Sequence, residues 1–177
     1  EALMLIYKLF WDEFSSWLLE IVKPAYGQPV NGFIYSMTLS AFERLLAMLH
    51  PFMPFITEEL WQQLREREPG ASLMVQPLGE PGEVNEEFLQ QFETAKEIIS
   101  SVRTIRLQKN IALKEPLELQ VVGANPVEKM NPVIRKMCNL SAIEVVDAKA
   151  DGASSFMIGT TEFAVPLGNM IDVDAEI

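Results

Sequence analysis

Cysteine and histidine are almost absent from this sequence, and no apolar stretch is long. One cysteine, Cys138, and one histidine, His50, occur among 177 residues. A single cysteine cannot form a disulfide within the chain, which favours a reducing compartment and predicts a cytoplasmic protein. No apolar run approaches the ~20 residues that a membrane-spanning helix needs. We therefore expect neither disulfides nor a membrane span.

The same scarcity limits catalysis and metal binding. A nucleophilic serine or cysteine needs a base within hydrogen-bond reach, and His50 lies beside Pro51, where a structural role at a helix end is expected. One histidine and one cysteine would need carboxylates at a suitable spacing to form a zinc site. Glycine-rich phosphate loops are also missing. The sequence predicts no catalytic residue, no metal site and no cofactor in this chain, and an independent hydrolase is the least favoured function.

Cations are few as well, with 14 against 25 acidic residues and a net charge of −11. Such a balance argues against broad, non-specific affinity for nucleic acid. From Lys96 to Lys114, however, five cations accompany one anion, Glu97, which gives a local charge of +4. Any RNA binding is therefore expected at a defined place.

Four helices are predicted before residue 112. The first covers residues 1–23, and Lys23-Pro24 ends it. A second begins near Phe33, and Asn85 can cap a fourth that stops near Asn110. The apolar stripe of the first helix has alternating spacings of four and three: Leu3, Tyr7, Phe10, Phe14, Trp17 and Ile21.

A double-proline corner joins the second and third helices. His50-Pro51 ends the second helix, because proline fixes φ and lacks an N–H donor. Pro54 suits the first turn of the third helix, where Glu58 and Glu59 favour the dipole. We expect Trp61 in the core, and expect Trp11 and Trp17 there too. Connected apolar faces of the four helices predict a bundle.

From residue 117 the pattern becomes that of a small sheet. Residues 117–121 alternate with period two, residues 143–146 form a second strand, and residues 156–165 form a hairpin that turns near 159–161. A helix holding Val127, Met130, Ile134 and Met137 lies between the first two strands, although Pro132 fits poorly inside it.

The predicted fold class is α+β, mostly α. A four-helix bundle occupies residues 1–112, and a small α+β unit occupies residues 113–177. The chain starts without an initiator methionine or a basic signal region, and residues 172–177 stop abruptly. We expect it to be part of a longer protein.

Two surfaces are candidates for binding. Ser16, Leu19, Glu20 and Lys23 share a helix face, because they are three or four residues apart. Such a face could hydrogen-bond to and stack on an unpaired base; the alternative is a polar helix edge with a Glu20–Lys23 pair.

The second surface is a cation row on the fourth helix. Arg103, Arg106 and Lys109 continue into Lys114, and cations so arranged suit phosphates. The alternative is a charged helix end favoured by the dipole.

Several segments resemble the anticodon-binding domain of class I aminoacyl-tRNA synthetases. Residues 10–14 (FWDEF), 17–20 (WLLE) and 23–24 (KP) are similar to the first part of that domain. Residues 50–61 (HPFMPFITEELW) resemble its signature in the valine, isoleucine and leucine enzymes. Residues 95–106 are similar to the valine version.

This resemblance implies a tRNA-binding, non-catalytic region of a valine-specific, monomeric ligase. ATP binding and aminoacylation are then expected in a preceding catalytic domain, and a coiled coil is expected to follow. The resemblance also assigns Ser16, Leu19, Glu20 and Lys23 to the anticodon pocket. Ser15-Ser16 departs from the Cys-Asp or similar pair of many relatives, which leaves the hydrogen bonding at Ser16 open.

Three alternatives stay open. An isoleucine enzyme would be expected to continue into a cysteine-rich zinc-binding tail, against which the lone Cys138 speaks. A leucine enzyme would be expected to differ after the fourth helix. A helical protein–protein interaction module, with the first helix as its contact, is the alternative from another class.

Overall fold

The computed structural model describes residues 1–168. They form two compact units, Glu1–Gly82 and a second that begins at Glu83. Residues 1–168 are 52% helical and contain a four-stranded sheet, so the prediction of a mixed, mostly helical fold is confirmed at that level. The four-helix bundle stays a prediction. Residues 172–177, for which an abrupt stop is predicted, lie outside the described residues.

The first unit is helical, and its opening stretch is one continuous helix with an unusual centre. Ten residues there adopt π geometry, whereas π-helices are usually single turns. The elements in chain order are α1 (Ala2–Lys8), the π-helix (Leu9–Leu18), α2 (Leu19–Val22), α3 (Gly32–Leu49), α4 (Pro54–Leu64) and a 3₁₀ turn (Leu73–Val75).

Local sequence signals set the ends of α3 and α4. Asn31 accepts hydrogen bonds from the backbone N–H groups of Phe33 and Ile34 and so caps α3. Pro54 lies in the first turn of α4, where its missing N–H costs nothing. The core beside this corner is Leu46, Trp61 and Leu73.

Part of the predicted apolar stripe is exposed. Leu3 and Tyr7 face solvent, and Trp11 is 58% exposed, so their expected burial is wrong. Trp61, at 5% exposed, is a core residue as predicted. Phe14 is buried because it stacks on Phe42 of α3, with ring centroids 5.6 Å apart.

The second unit packs helices on a mixed sheet with strand order β2-β1-β4-β3. β1 pairs with β2 in parallel and with β4 antiparallel, and β3 pairs with β4 antiparallel. The elements are α5 (Glu86–Gln108), β1 (Leu117–Val122), a 3₁₀ turn (Glu128–Met130), α6 (Asn131–Cys138), β2 (Leu140–Val146), β3 (Ser154–Ile158) and β4 (Thr161–Val165).

Several local predictions in this unit are confirmed. Asn85 accepts from the Phe88 N–H and caps α5, and Asn110 adopts a left-handed φ of 54° just past its end. The hairpin turns at residues 159–160. Pro132 causes no break because the helix begins at Asn131, which places proline in its first turn.

The fourth predicted helix, α5, belongs to the second unit. It packs against α6 and β3, and its apolar residues Ala95, Ile98, Ile99 and Val102 are fully buried. The compact units divide at residues 82 and 83. The predicted domain boundary between residues 112 and 113 stays a prediction. An apolar stripe alone does not say which neighbour will cover it.

Candidate nucleic-acid interface

The end of the first helical stretch carries the predicted base-reading face. Ser16, Leu19, Glu20 and Lys23 are all exposed, with Leu19 37% exposed. Lys23 Nζ lies 3.6 Å from Glu20 Oε1, which is the pair that the alternative interpretation expects. An exposed pair of this kind contributes at most about 1 kcal/mol. The carboxylate can therefore exchange its partner for a ligand at little cost.

The π-helix determines what Ser16 can offer. Its hydroxyl donates to the Trp11 carbonyl oxygen at 2.8 Å, and the Ser15 hydroxyl donates to the Phe10 carbonyl at 2.9 Å. Both bonds span five residues, which matches the repeat of π geometry. Because the Ser16 proton is used within the helix, its oxygen faces a ligand only as an acceptor.

An aromatic cluster anchors the helix that carries this face. Phe10 lies 6.1 Å from Phe14 and 5.9 Å from Phe42, measured between ring centroids. Aromatic pairs at such distances add about 0.5–1.5 kcal/mol each beyond their buried area. The buried Phe14 fixes the backbone two residues before the exposed Ser16.

The proline corner holds a buried polar pair. Thr57 is fully buried, and its hydroxyl donates to the Met53 carbonyl oxygen at 2.8 Å. His50 Nδ1 lies 2.8 Å from the same Thr57 oxygen and therefore acts as the donor. His50 also ends α3. Its role is structural, as the sequence predicts.

Glu58 ties a loop to α4. One carboxylate oxygen accepts from the Ser72 hydroxyl at 3.0 Å and from the Leu73 N–H at 2.9 Å. The other oxygen accepts from Gln62 at 2.9 Å. Burial alone would raise the pKa of Glu58, but these hydrogen bonds outweigh it and lower the pKa below its usual value. The sequence alone predicts only an ordinary charge at a helix start for Glu58.

The cation row on α5 is interrupted. Arg103 and Lys109 are exposed, but Arg106 is only 3% exposed, so the surface position predicted for it is wrong. The physical reason is helical spacing: Ile99, Val102 and Arg106 are three and four residues apart and share the buried face.

The guanidinium group of Arg106 donates its hydrogen bonds to backbone groups inside the fold. Its Nη2 donates to the carbonyl oxygens of Cys138 at 2.8 Å and Asn139 at 3.2 Å, and its Nη1 donates to Ala112 at 3.0 Å. Burial lowers the pKa of Arg106, although Cys138 and Glu115 oppose this. Arg106 is therefore a structural cation that joins α5, the following loop and the end of α6.

Cys138 is equally structural. Burial raises the pKa of its thiol to about 11, although the positive charges of Arg103 and Arg106 oppose the rise. The thiol is therefore protonated at neutral pH and is a poor nucleophile.

Within residues 1–168, no group of three or more histidine, cysteine, aspartate or glutamate residues could hold a metal ion. The helices described there are also too short or too polar to cross a membrane.

Sequence reasoning missed two further cations near this row. Arg135 and Lys136 lie in the last turn of α6 and are exposed. One sequence pattern could have revealed them. A proline in the first turn and basic residues a few positions later are typical of a short helix with cations at its C-terminus.

The family model described as "Anticodon-binding domain of tRNA ligase" matches residues 1–121. The chain therefore belongs to the family of anticodon-binding domains of tRNA ligases, as its resemblance to class I synthetases predicts.

The chain is also similar to curated proteins of one particular kind within this family, the valine–tRNA ligases. The whole chain is 63% identical to part of a valine–tRNA ligase of Phocaeicola vulgatus and 66% identical to part of one from Bacteroides thetaiotaomicron. A valine–tRNA ligase of Christiangramia forsetii is 41% identical over 99% of the chain. The chain spans 20% of the length of each of these relatives.

Proposed function

We propose that this chain is the anticodon-binding region of a valine–tRNA ligase and binds valine-accepting tRNA. The observation that carries the proposal is the similarity of the entire chain to such ligases, at up to 66% identity. In this proposal the full-length enzyme is a cytoplasmic monomer that attaches valine to tRNA with ATP. Its catalytic site and its ATP lie outside this chain.

The exposed face at the end of the first helical stretch supports a base-reading role. The Leu19 side chain offers an apolar surface for an unstacked base, and the oxygens of Ser16 and Glu20 accept hydrogen bonds from base N–H groups. Lys23 supplies a cation for a nearby phosphate. Arg103 and Lys109 bind phosphates of the RNA backbone. Arg106 does not take part, because it is buried.

We propose further that the four helices of residues 1–112 form a bundle, as the sequence predicts. The family match supports this, because its residues 1–121 include the first unit and all of α5.

Filter binding tests the proposed function. The full-length protein is titrated with valine-accepting tRNA and with the same tRNA carrying a different anticodon. Anticodon contacts worth ~1–3 kcal/mol each predict weaker binding of the changed tRNA by roughly tenfold or more. Equal affinity for both tRNAs would contradict base reading by this region.

The isoleucine and leucine alternatives are less favoured, because the relatives described above are valine–tRNA ligases. Aminoacylation by the full-length protein with each of the three amino acids distinguishes them. The proposal predicts valine as the preferred substrate, and a preference for isoleucine or leucine would contradict it.

One observation favours a second function, protein–protein contact. The first helical stretch exposes several large apolar side chains: Leu3, Met4, Leu5, Tyr7, Leu9 and Trp11. Light scattering of the isolated chain tests this alternative. A dimer that buries Trp11 and ignores tRNA would favour it, whereas a monomer that binds tRNA would favour anticodon recognition.

A further inference from the structure

Four cations meet at the last turn of α6. Arg135 and Lys136 belong to that turn. Arg103 reaches it from α5 and donates to the Met137 carbonyl oxygen at 3.4 Å. Arg106 reaches it from below the surface and donates to the Cys138 carbonyl oxygen. Residues far apart in sequence therefore form one positively charged region in a chain of net charge −11.

The loop after α5 adds to this region. The Asn139 side-chain amide donates to the Leu113 carbonyl oxygen at 3.0 Å, and the Arg106 guanidinium donates to the Ala112 carbonyl oxygen. These bonds fix the backbone on the N-terminal side of Lys114, an exposed cation next to Leu113. The charge is thus concentrated by the fold and not by the sequence alone.

The helix dipole does not account for so much charge. The C-terminus of a helix carries the equivalent of about half a negative charge, and α6 contains no acidic residue. Glu115, in the loop after α5, also acts on Arg106. The formal charge of the four cations is several times larger than this half charge.

The outer surface of α6 also carries a shallow groove beside these cations. Asn131, Pro132, Arg135 and Lys136 line an open groove of about 370 Å³. Residues 131 and 135, and residues 132 and 136, are each four apart, so the groove follows the helix for more than one turn. The buried Ile134 and Cys138 hold the opposite face against the core.

We propose that the last turn of α6 and its groove bind the sugar–phosphate backbone of tRNA at a place outside the anticodon. Arg135 and Lys136 are the phosphate-binding residues, and Arg103 contributes from α5. Arg106 is a positioning residue, since its guanidinium holds the carbonyl end of α6 and touches no RNA. This inference rests on the proposed function, because it takes tRNA as the partner.

Phosphate contacts and anticodon contacts have different signatures. A cation that binds phosphate weakens binding of every RNA equally when it is removed, and it lowers the salt dependence by about one unit of log–log slope. A base-reading residue changes the preference between anticodons. The two sites can therefore be separated in one titration series.

The test uses the full-length protein with Arg135→Gln plus Lys136→Gln, titrated with both tRNAs over a range of salt. We expect binding of both tRNAs to weaken roughly tenfold at low salt and the slope to fall by about two. The ratio of the two affinities should stay unchanged. A control with Arg44→Gln plus Lys149→Gln changes the net charge equally and should move the slope by less than half as much.

A charge-conserving exchange, Arg135→Lys plus Lys136→Arg, should retain the slope, and thermal unfolding should confirm that all variants are folded. A slope that is unchanged in the double glutamine variant, or equally changed in the control, would overturn the inference. Equal affinity of the unsubstituted protein for both tRNAs, with a reduced slope in the variant, would overturn the proposed anticodon function only. Absence of tRNA binding by the unsubstituted protein would overturn both.

Discussion

The end of the first helical stretch and the end of α5 look alike in sequence but differ in structure. Both carry polar residues three or four apart that were predicted to face a ligand. In the first, Ser16, Glu20 and Lys23 are exposed. In the second, Arg103 is exposed and Arg106 is buried. Charge alone therefore does not place a residue on the surface, and the apolar stripe beside it must be considered as well.

Because Arg106 is buried and Arg103 is exposed, the largest expected change in stability is that of Arg106→Ala. Three carbonyl oxygens lose a charge-assisted partner, so the second unit should lose about 3 kcal/mol or more of unfolding free energy. Arg103→Ala, at an exposed position, should stay within about 0.5 kcal/mol.

The chain offers a separate probe for each unit. All tryptophans and tyrosines lie before Gly82, and the only thiol, Cys138, lies after it. In Arg106→Ala, Cys138 should react with a thiol reagent at lower urea than in the unsubstituted chain, while the tryptophan fluorescence transition moves less. Equal stability of the Arg106→Ala and Arg103→Ala variants would contradict the structural role of Arg106.

A smaller effect is expected at the proline corner of the first unit. Thr57→Val removes the acceptor of the His50 Nδ1–H group and should cost about 1–3 kcal/mol, measured by the tryptophan transition in urea. Thr57→Ser keeps the hydroxyl and should recover much of this. If valine and serine were equally tolerated, the buried pair would not stabilise the corner.

The smallest effect concerns the pH dependence of Glu58. Because its folded pKa is lowered, its contribution to stability is complete above the ordinary pKa of glutamate and is lost as the pH falls through the folded value. Glu58→Gln should therefore be less stable than the unsubstituted chain near pH 7, and the difference should shrink in acid.

Glu59→Gln is the matched control for Glu58, because Glu59 is the next residue but does not bind the loop at Ser72. Urea transitions of the tryptophan signal at pH 7 and at pH 3 measure both variants. A stability difference for Glu58→Gln that is the same at both pH values would contradict the assigned role of the carboxylate.

Local chemistry made much of the fold predictable. Asn85 as a cap, Pro54 in a first helical turn and the alternation of residues 117–121 each follow from rules that act within a few residues. The hairpin near Gly159 is of the same kind. Such features depend on backbone geometry, which the nearby sequence determines.

Features that depend on distant neighbours were not predictable. The π-helix at Leu9–Leu18 keeps the apolar spacing of an ordinary helix, so its sequence gives no separate signal. Arg106 is buried because the carbonyl groups of residues 138 and 139 lie within its reach. Arg135 joins the α5 cations only through packing of α6 against α5.

Glu20→Ala tests the central claim, that the end of the first helical stretch reads the anticodon, most directly. Affinities of the full-length protein for valine-accepting tRNA and for its anticodon-changed form are compared with those of a control, Glu66→Ala, which removes one exposed carboxylate elsewhere in the first unit. The account predicts that Glu20→Ala changes the ratio of the two affinities roughly tenfold while Glu66→Ala does not. An unchanged ratio in a folded Glu20→Ala protein would contradict it.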